Sequence, residues 1–125
     1  MIKKIIQSSI VIFSLLINFN TDVQAFSWYE QISLKITMKT EETLYEWEFE
    51  NPNSFEFEKG DKIIRDVEAK ESFESILHFI DLSEPTINDE TIKILEQNGY
   101  PNINKIVINR LDYKQRNQTW IWKNE

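Results

Sequence analysis

Polar and apolar residues alternate through the first half of the chain. Leu34, Ile36 and Met38 are separated by Lys35, Thr37 and Lys39, a period of two that puts the apolar set on one face of a β-strand. After the polar stretch Thr40–Glu42 the alternation resumes, with Tyr45, Trp47 and Phe49 set against Glu46, Glu48 and Glu50. Asn51-Pro52-Asn53-Ser54 is a run of turn-forming residues. Phe55 and Phe57 then alternate with Glu56 and Glu58, and Lys59-Gly60-Asp61 turns the chain again, leaving Lys62–Arg65 to extend the meander.

The period changes at Asp66. Ala69, Phe73, Ile76, Leu77 and Ile80 share one helical face, which predicts a helix over Asp66–Asp81 with Asp66 as its cap. Ser83–Thr86, with Pro85, breaks it. A shorter helix follows over Asp89–Asn98, capped by Asn88, with Ile87 placed to staple onto Ile92. Gly99 closes it in a left-handed conformation ahead of Tyr100 and Pro101. Lys105–Tyr113 is β-branched and strand-like, Lys114–Gln118 is a polar loop, and Thr119–Lys123 carries Trp120 and Trp122 on one face. Strands, two helices and strands again predict an α+β domain: an antiparallel sheet of four to five strands with two consecutive helices on one face. The last hairpin is expected beside the first strands.

Residues 1–25 follow a different rule. Lys3 and Lys4 precede an apolar run that is densest at Ile10–Ile17, and Val23-Gln24-Ala25 suits a signal peptidase. The expectation is a signal peptide over 1–25, cleaved after Ala25, and a single extracytoplasmic domain over 26–125. Spanning a bilayer takes about 20 apolar residues, and Gln7, Ser8 and Ser9 interrupt this run. Membrane attachment is therefore expected only if the segment is not cleaved.

Charge narrows the partners. The chain has 14 basic and 21 acidic side chains; with Lys3, Lys4 and Asp22 set aside, 12 and 20 remain, a net charge of about −8 on residues 26–125. Nucleic acids and anionic membranes select for clustered positive charge, so nucleic acid is not an expected partner. With no cysteine, the domain must stand on packing alone, and thiol catalysis, cysteine–zinc sites and redox chemistry are excluded. No cofactor is expected. Export without disulfides and an Ile-, Lys-, Asn- and Glu-rich composition fit a bacterial protein.

Catalytic signals are sparse. His78 is the one histidine, at the margin of a helical apolar stripe without a second histidine to pair with, so a structural role is the plainer reading. G-x-S-x-G, H-E-x-x-H and phosphate-binding glycine loops do not occur. Glu46, Glu48 and Glu50, with Glu56 and Glu58 on the next strand, are candidate acids for glycan hydrolysis, since alternate residues on a strand stand about 6.6 Å apart. Any strand with alternating glutamates has that spacing, so a solvated face opposite a buried aromatic one is the plainer reading. Calcium sites prefer a loop that wraps the ion, and no D-x-[DN]-x-[DN]-G loop is present. No metal site is expected.

Aromatic residues are the stronger signal. Trp47, Tyr113, Trp120 and Trp122 are candidate binding residues, because aromatic rings near a chain end can form a stacking platform for sugars or a partner's side chains. The same rings can fill the core of a domain that lacks disulfides. Lys105–Tyr113 is apolar on both faces, with Ile106 and Ile108 on one and Val107, Leu111 and Tyr113 on the other. The expected function is a small exported binding or protein-interaction module with an extracytoplasmic protein or glycan partner. The alternatives are a carboxylate-dependent cell-wall glycan hydrolase and a structural envelope protein that oligomerises through the last hairpin. Asn117-Gln118-Thr119 matches a glycosylation sequon, which has no meaning in a bacterial chain.

Overall fold

Strand β1, Gln31–Thr40, is the axis of the molecule: β2 (Leu44–Glu50) pairs with one of its edges and β5 (Ile103–Asp112) with the other, both antiparallel. β3 (Ser54–Lys59) and β4 (Lys62–Arg65) continue the meander beyond β2, and β6 (Asn117–Lys123) lies outside β5. The sheet order is β4-β3-β2-β1-β5-β6. The computed structural model describes residues 26–125, so the signal-peptide expectation over 1–25 lies outside the described residues.

The sheet thus has six strands rather than four to five. The count reaches six because Lys62–Arg65, the expected extension of the meander, pairs with β3 as a strand of its own, from Lys59↔Lys62 to Glu56↔Arg65. Four residues are too few for an alternation to stand out, and the pairing rests on backbone hydrogen bonds that side-chain pattern does not report.

One face of the sheet makes the core. Leu34, Ile36 and Met38 of β1, Tyr45, Trp47 and Phe49 of β2, Phe55 of β3, Ile106 and Ile108 of β5 and Trp120 of β6 are all buried. Helices α1 (Asp66–Leu77) and α2 (Asp89–Gln97) cover that face, contributing Ala69, Phe73, Ile76, Ile92 and Leu95. Burying such a side chain is worth about 1.5–3 kcal/mol each, an upper bound because unfolded chains already bury some apolar surface.

The helix ends show which local signals decided the backbone. Asn88 caps α2 as its position predicts, its side-chain oxygen accepting the Thr91 N–H at 2.9 Å. Gly99 has φ +108° and the Tyr100 N–H closes on the Leu95 carbonyl at 3.2 Å, the expected left-handed ending. α1 differs on both counts. Asp66 is not a cap: it has φ +65°, and no side chain caps the helix at Arg65. β4 runs directly into the helix, and this aspartate absorbs the change of direction, a conformation that Asp tolerates better than most residues.

α1 also stops at Leu77 instead of Asp81. His78 and Phe79 donate to the Ser75 and Ile76 carbonyls, tightening the last turn to an i→i+3 pattern. Ile80 is buried all the same, reaching the core from a loop rather than from the helix. Among the described residues, no helix is long and apolar enough to cross a membrane.

Candidate functional site

All four tryptophans tie the helical side of the domain to the sheet or to the segment before it. Trp28, in a single 3-10 turn at Trp28–Glu30, donates its indole N–H to Glu74 of α1 at 3.0 Å and packs against Phe49, Phe55 and Phe73. Trp47 donates to the Ser72 hydroxyl at 3.0 Å, Trp120 to the Glu84 carbonyl at 2.7 Å, and Trp122 to the Asp89 carboxylate at 3.0 Å. A buried indole needs a partner for its N–H, and here each partner belongs to a helix or to the loop between the helices.

That arrangement decides between the two roles open to the aromatic candidates. Trp47 is 0 % and Trp120 3 % exposed, so neither presents a ring face to solvent. Trp122 is half-buried, packed at the core margin with its N–H occupied. Tyr113 stands apart at the β5–β6 turn, 55 % exposed, its backbone N–H bonded to the Glu30 carbonyl. The four candidates do not form one surface. Tyr100, with no role assigned from its sequence context, stacks edge-on against Tyr45 at 5.2 Å. Burial raises its phenol above the ordinary tyrosine value, and the neighbouring Tyr45 adds to the rise.

The turn below Tyr113 is organised by Asp112. Its carboxylate accepts the Lys114 and Arg116 backbone N–H groups at 2.9 and 3.0 Å and the Arg116 guanidinium at 2.8 Å. The Arg116 backbone hydrogen bond is the largest reason its pKa lies below the usual carboxylate range; burial opposes it, and the guanidinium and Lys114 bonds add to it.

The five glutamates are on the opposite face of the sheet, which neither helix covers. Glu46, Glu48, Glu56 and Glu58 are half-buried by their neighbours and Glu50 is exposed. In the strand register Glu46 stands opposite Glu58, and Glu48 opposite Glu56. Lys35 reaches Glu46 at 3.7 Å and Arg65 reaches Glu56 at 3.0 Å. Along the same rows lie Thr37, Val107 and Ile121, and at one end Lys39, Lys105 and Lys123 are successive register partners. Ile121 is 59 % exposed and Val107 and Leu111 are half-buried. Among the described residues, the second apolar face of β5 is therefore the one no helix covers.

A depression of about 1060 Å³ opens where α1 ends, lined by Phe26, Glu74, His78, Asp81, Leu82 and Arg110 among others. Three of its charged groups already have partners in the fold. Glu74 accepts from Trp28, and Arg110 donates to Gln31 at 2.8 Å. Asp81 accepts both the Ser83 hydroxyl and N–H, which hold its pKa below the usual carboxylate range, the hydroxyl foremost. His78 is exposed on the rim. Sequence periodicity did not mark this hollow, because the shortened α1 creates it. A smaller hollow of about 530 Å³ lies beside Trp122 and Asp89. None of the five glutamates lines either one. Among the described residues, no group of three or more His, Asp or Glu side chains is arranged to hold a metal ion.

Comparison with known proteins returns no matching family, no matching curated protein and no matching solved structure.

Proposed function

We propose that this chain is a small exported protein-interaction module that engages an extracytoplasmic partner through the uncovered face of its sheet. The observation that carries this reading is the charge arrangement of that face. An antiparallel sheet commonly leaves one face to water, so exposure by itself is ordinary. Like charges set directly opposite each other are not, because they destabilise the strand pair, and Glu46↔Glu58 and Glu48↔Glu56 are two such pairs. Lys35 on Glu46 and Arg65 on Glu56 offset that cost only in part, and a bound partner of opposite charge would remove the rest. The glutamates lie on open strands and not in a hollow, which gives a glycan-cleaving pair no enclosed site.

Two measurements test the reading. Amino-terminal sequencing of the protein recovered from its producing cells should begin at Phe26; a start at Met1 overturns export with cleavage. The purified protein should bind saturably to a preparation that contains envelope proteins, cell-wall material and its own chain. Glu46→Lys with Glu58→Lys should abolish that binding. Absence of saturable binding to any component overturns the interaction reading.

A further inference from the structure

The open face carries two groups of like charge, opposite in sign, and each repels itself. On β2 and β3 the glutamates face one another in register. On β1, β5 and β6 the row Lys39↔Lys105↔Lys123 sets three ammonium groups on adjacent strands. Lys35 and Arg65 relieve the acids in part, whereas none of the three row lysines is in an ion pair among the described residues. Both groups cost the isolated chain some stability.

We propose that this face is self-complementary, and that two copies of the chain pack sheet against sheet with the glutamates of each on the lysine row of the other. The inference rests on the reading of the face as an interaction surface and names its occupant. A cationic partner of another kind would relieve the glutamates and leave the lysine row unsatisfied. An anionic partner would do the reverse. A second copy relieves both at once.

The geometry allows a closed pair. Neighbouring strands are about 4.8 Å apart and same-face rows about 6.6 Å apart along them, so the glutamate block and the lysine row lie diagonally across the face. A two-fold axis in the plane of the face, passing near Thr37, exchanges them. An exchange of this kind satisfies every contact twice and leaves no free end for further growth. The strands of the two copies then cross steeply, as in orthogonally packed sheets. Val107 and Ile121, next to the lysine row in register, lose water at the contact.

The strength expected is modest. The face offers on the order of 500 Å² per copy from these spacings, less than the roughly 800 Å² of a standard partner. Two chains that each carry a net charge of about −8 on residues 26–125 also repel at long range. At about 0.1 M salt the Debye length is about 10 Å, which damps that repulsion while close pairs persist. The dimer is therefore reversible and forms best at moderate salt.

Sedimentation velocity at about 0.1 M salt, from about 10 μM to about 1 mM, tests this in the range where small interfaces associate. The protein should pass from monomer to dimer. Lys105→Glu with Lys123→Glu, and separately Glu46→Lys with Glu58→Lys, should each remain monomeric with unchanged circular dichroism, and an equimolar mixture of the two should sediment as a heterodimer. Lys105→Gln with Lys123→Gln, a milder change to the fold, should weaken self-association at least about tenfold, the effect of about 1.4 kcal/mol. A wild-type chain that stays monomeric to about 1 mM, or a dimer that all these variants leave intact, overturns the proposal. If the chain is monomeric yet Glu46→Lys with Glu58→Lys abolishes saturable binding to envelope or wall material, the second copy is ruled out and the interaction surface stands. If neither self-association nor such binding occurs, both readings fall.

Discussion

The Trp120 indole N–H donates to the Glu84 carbonyl oxygen at 2.7 Å, so the outermost strand of the sheet is bolted to the loop that joins the two helices. Replacing Trp120 tests how much that bolt carries. Trp120→Phe keeps most of the buried ring and loses the donor to the Glu84 carbonyl. The expected cost is about 1–2 kcal/mol, against about 3–5 kcal/mol for Trp120→Ala, which also leaves a cavity. Urea denaturation of the two variants measures the difference.

Trp47 makes the equivalent link to α1 through Ser72. Because the bond is partly shielded from water, a double-mutant cycle with Trp47→Phe and Ser72→Ala should show a coupling of about 0.5–1.5 kcal/mol. Additive costs, measured by the same denaturation, would mean that the hydroxyl and the indole do not share a bond in solution.

The ends of α2 offer a separate check on local signals. Asn88→Ala removes the acceptor for the Thr91 N–H and should cost about 1 kcal/mol. At Gly99 a Cβ would meet nothing within 4 Å, so space does not forbid alanine, and the φ of +108° does. Gly99→Ala should cost about 1–2 kcal/mol from backbone strain alone. Thermal unfolding of both variants reads these losses.

Acid should loosen the β5–β6 hairpin. The Asp112 pKa is lower in the folded chain than in the unfolded one, so its contribution is full above the unfolded carboxylate value. That contribution is lost as pH falls through the lowered folded value. Asp112→Asn should be less stable than the parent at neutral pH and should lose less stability on acidification below about pH 4, the ordinary carboxylate range. Amide exchange at Lys114 and Arg116, followed against pH, reports the same loosening directly.

On the open face the sign reverses. Glu58→Thr removes one member of the Glu46↔Glu58 pair and places a β-favouring residue on β3, so it should stabilise the chain by about 0.2–1 kcal/mol. Denaturation midpoints of the two proteins decide it. A destabilised variant would mean that the acids serve the fold.

Much of this fold is legible in the residue pattern. The alternation at Leu34–Met38 and Tyr45–Phe49 identifies the buried face, and Asn88 and Gly99 mark the bounds of α2 because each acts through its own local backbone. The failures share a cause. Asp66 resembles a cap, but β4 enters α1 without a linker and turns that residue to positive φ. Ile80 keeps helical spacing and is buried from a loop, since periodicity records which residues are apolar and not which backbone delivers them.

The candidate surface was legible only in pieces. Glutamate alternation on β2 and β3 is visible in the chain, but the lysine row joins residues 39, 105 and 123, which only the pairing of β1 with β5 and β5 with β6 brings together. Likewise, Trp47 and Trp120 could be placed in the core or on a platform until the sheet assigned their sides.

The central position of β1 has a consequence for the order of assembly. Its neighbour β2 follows after a three-residue turn, and hairpins of that kind close in about 1–10 μs. Its other neighbour, β5, begins only at Ile103, so residues as distant as Gln31 and Asp112 must meet before the sheet is continuous. Such long-range closures are slow. Until Ile103–Asp112 arrives, the free edge of β1 is an unpaired ladder of the kind that recruits foreign strands, and a nascent or stretched chain is most vulnerable to misassembly at its own middle strand.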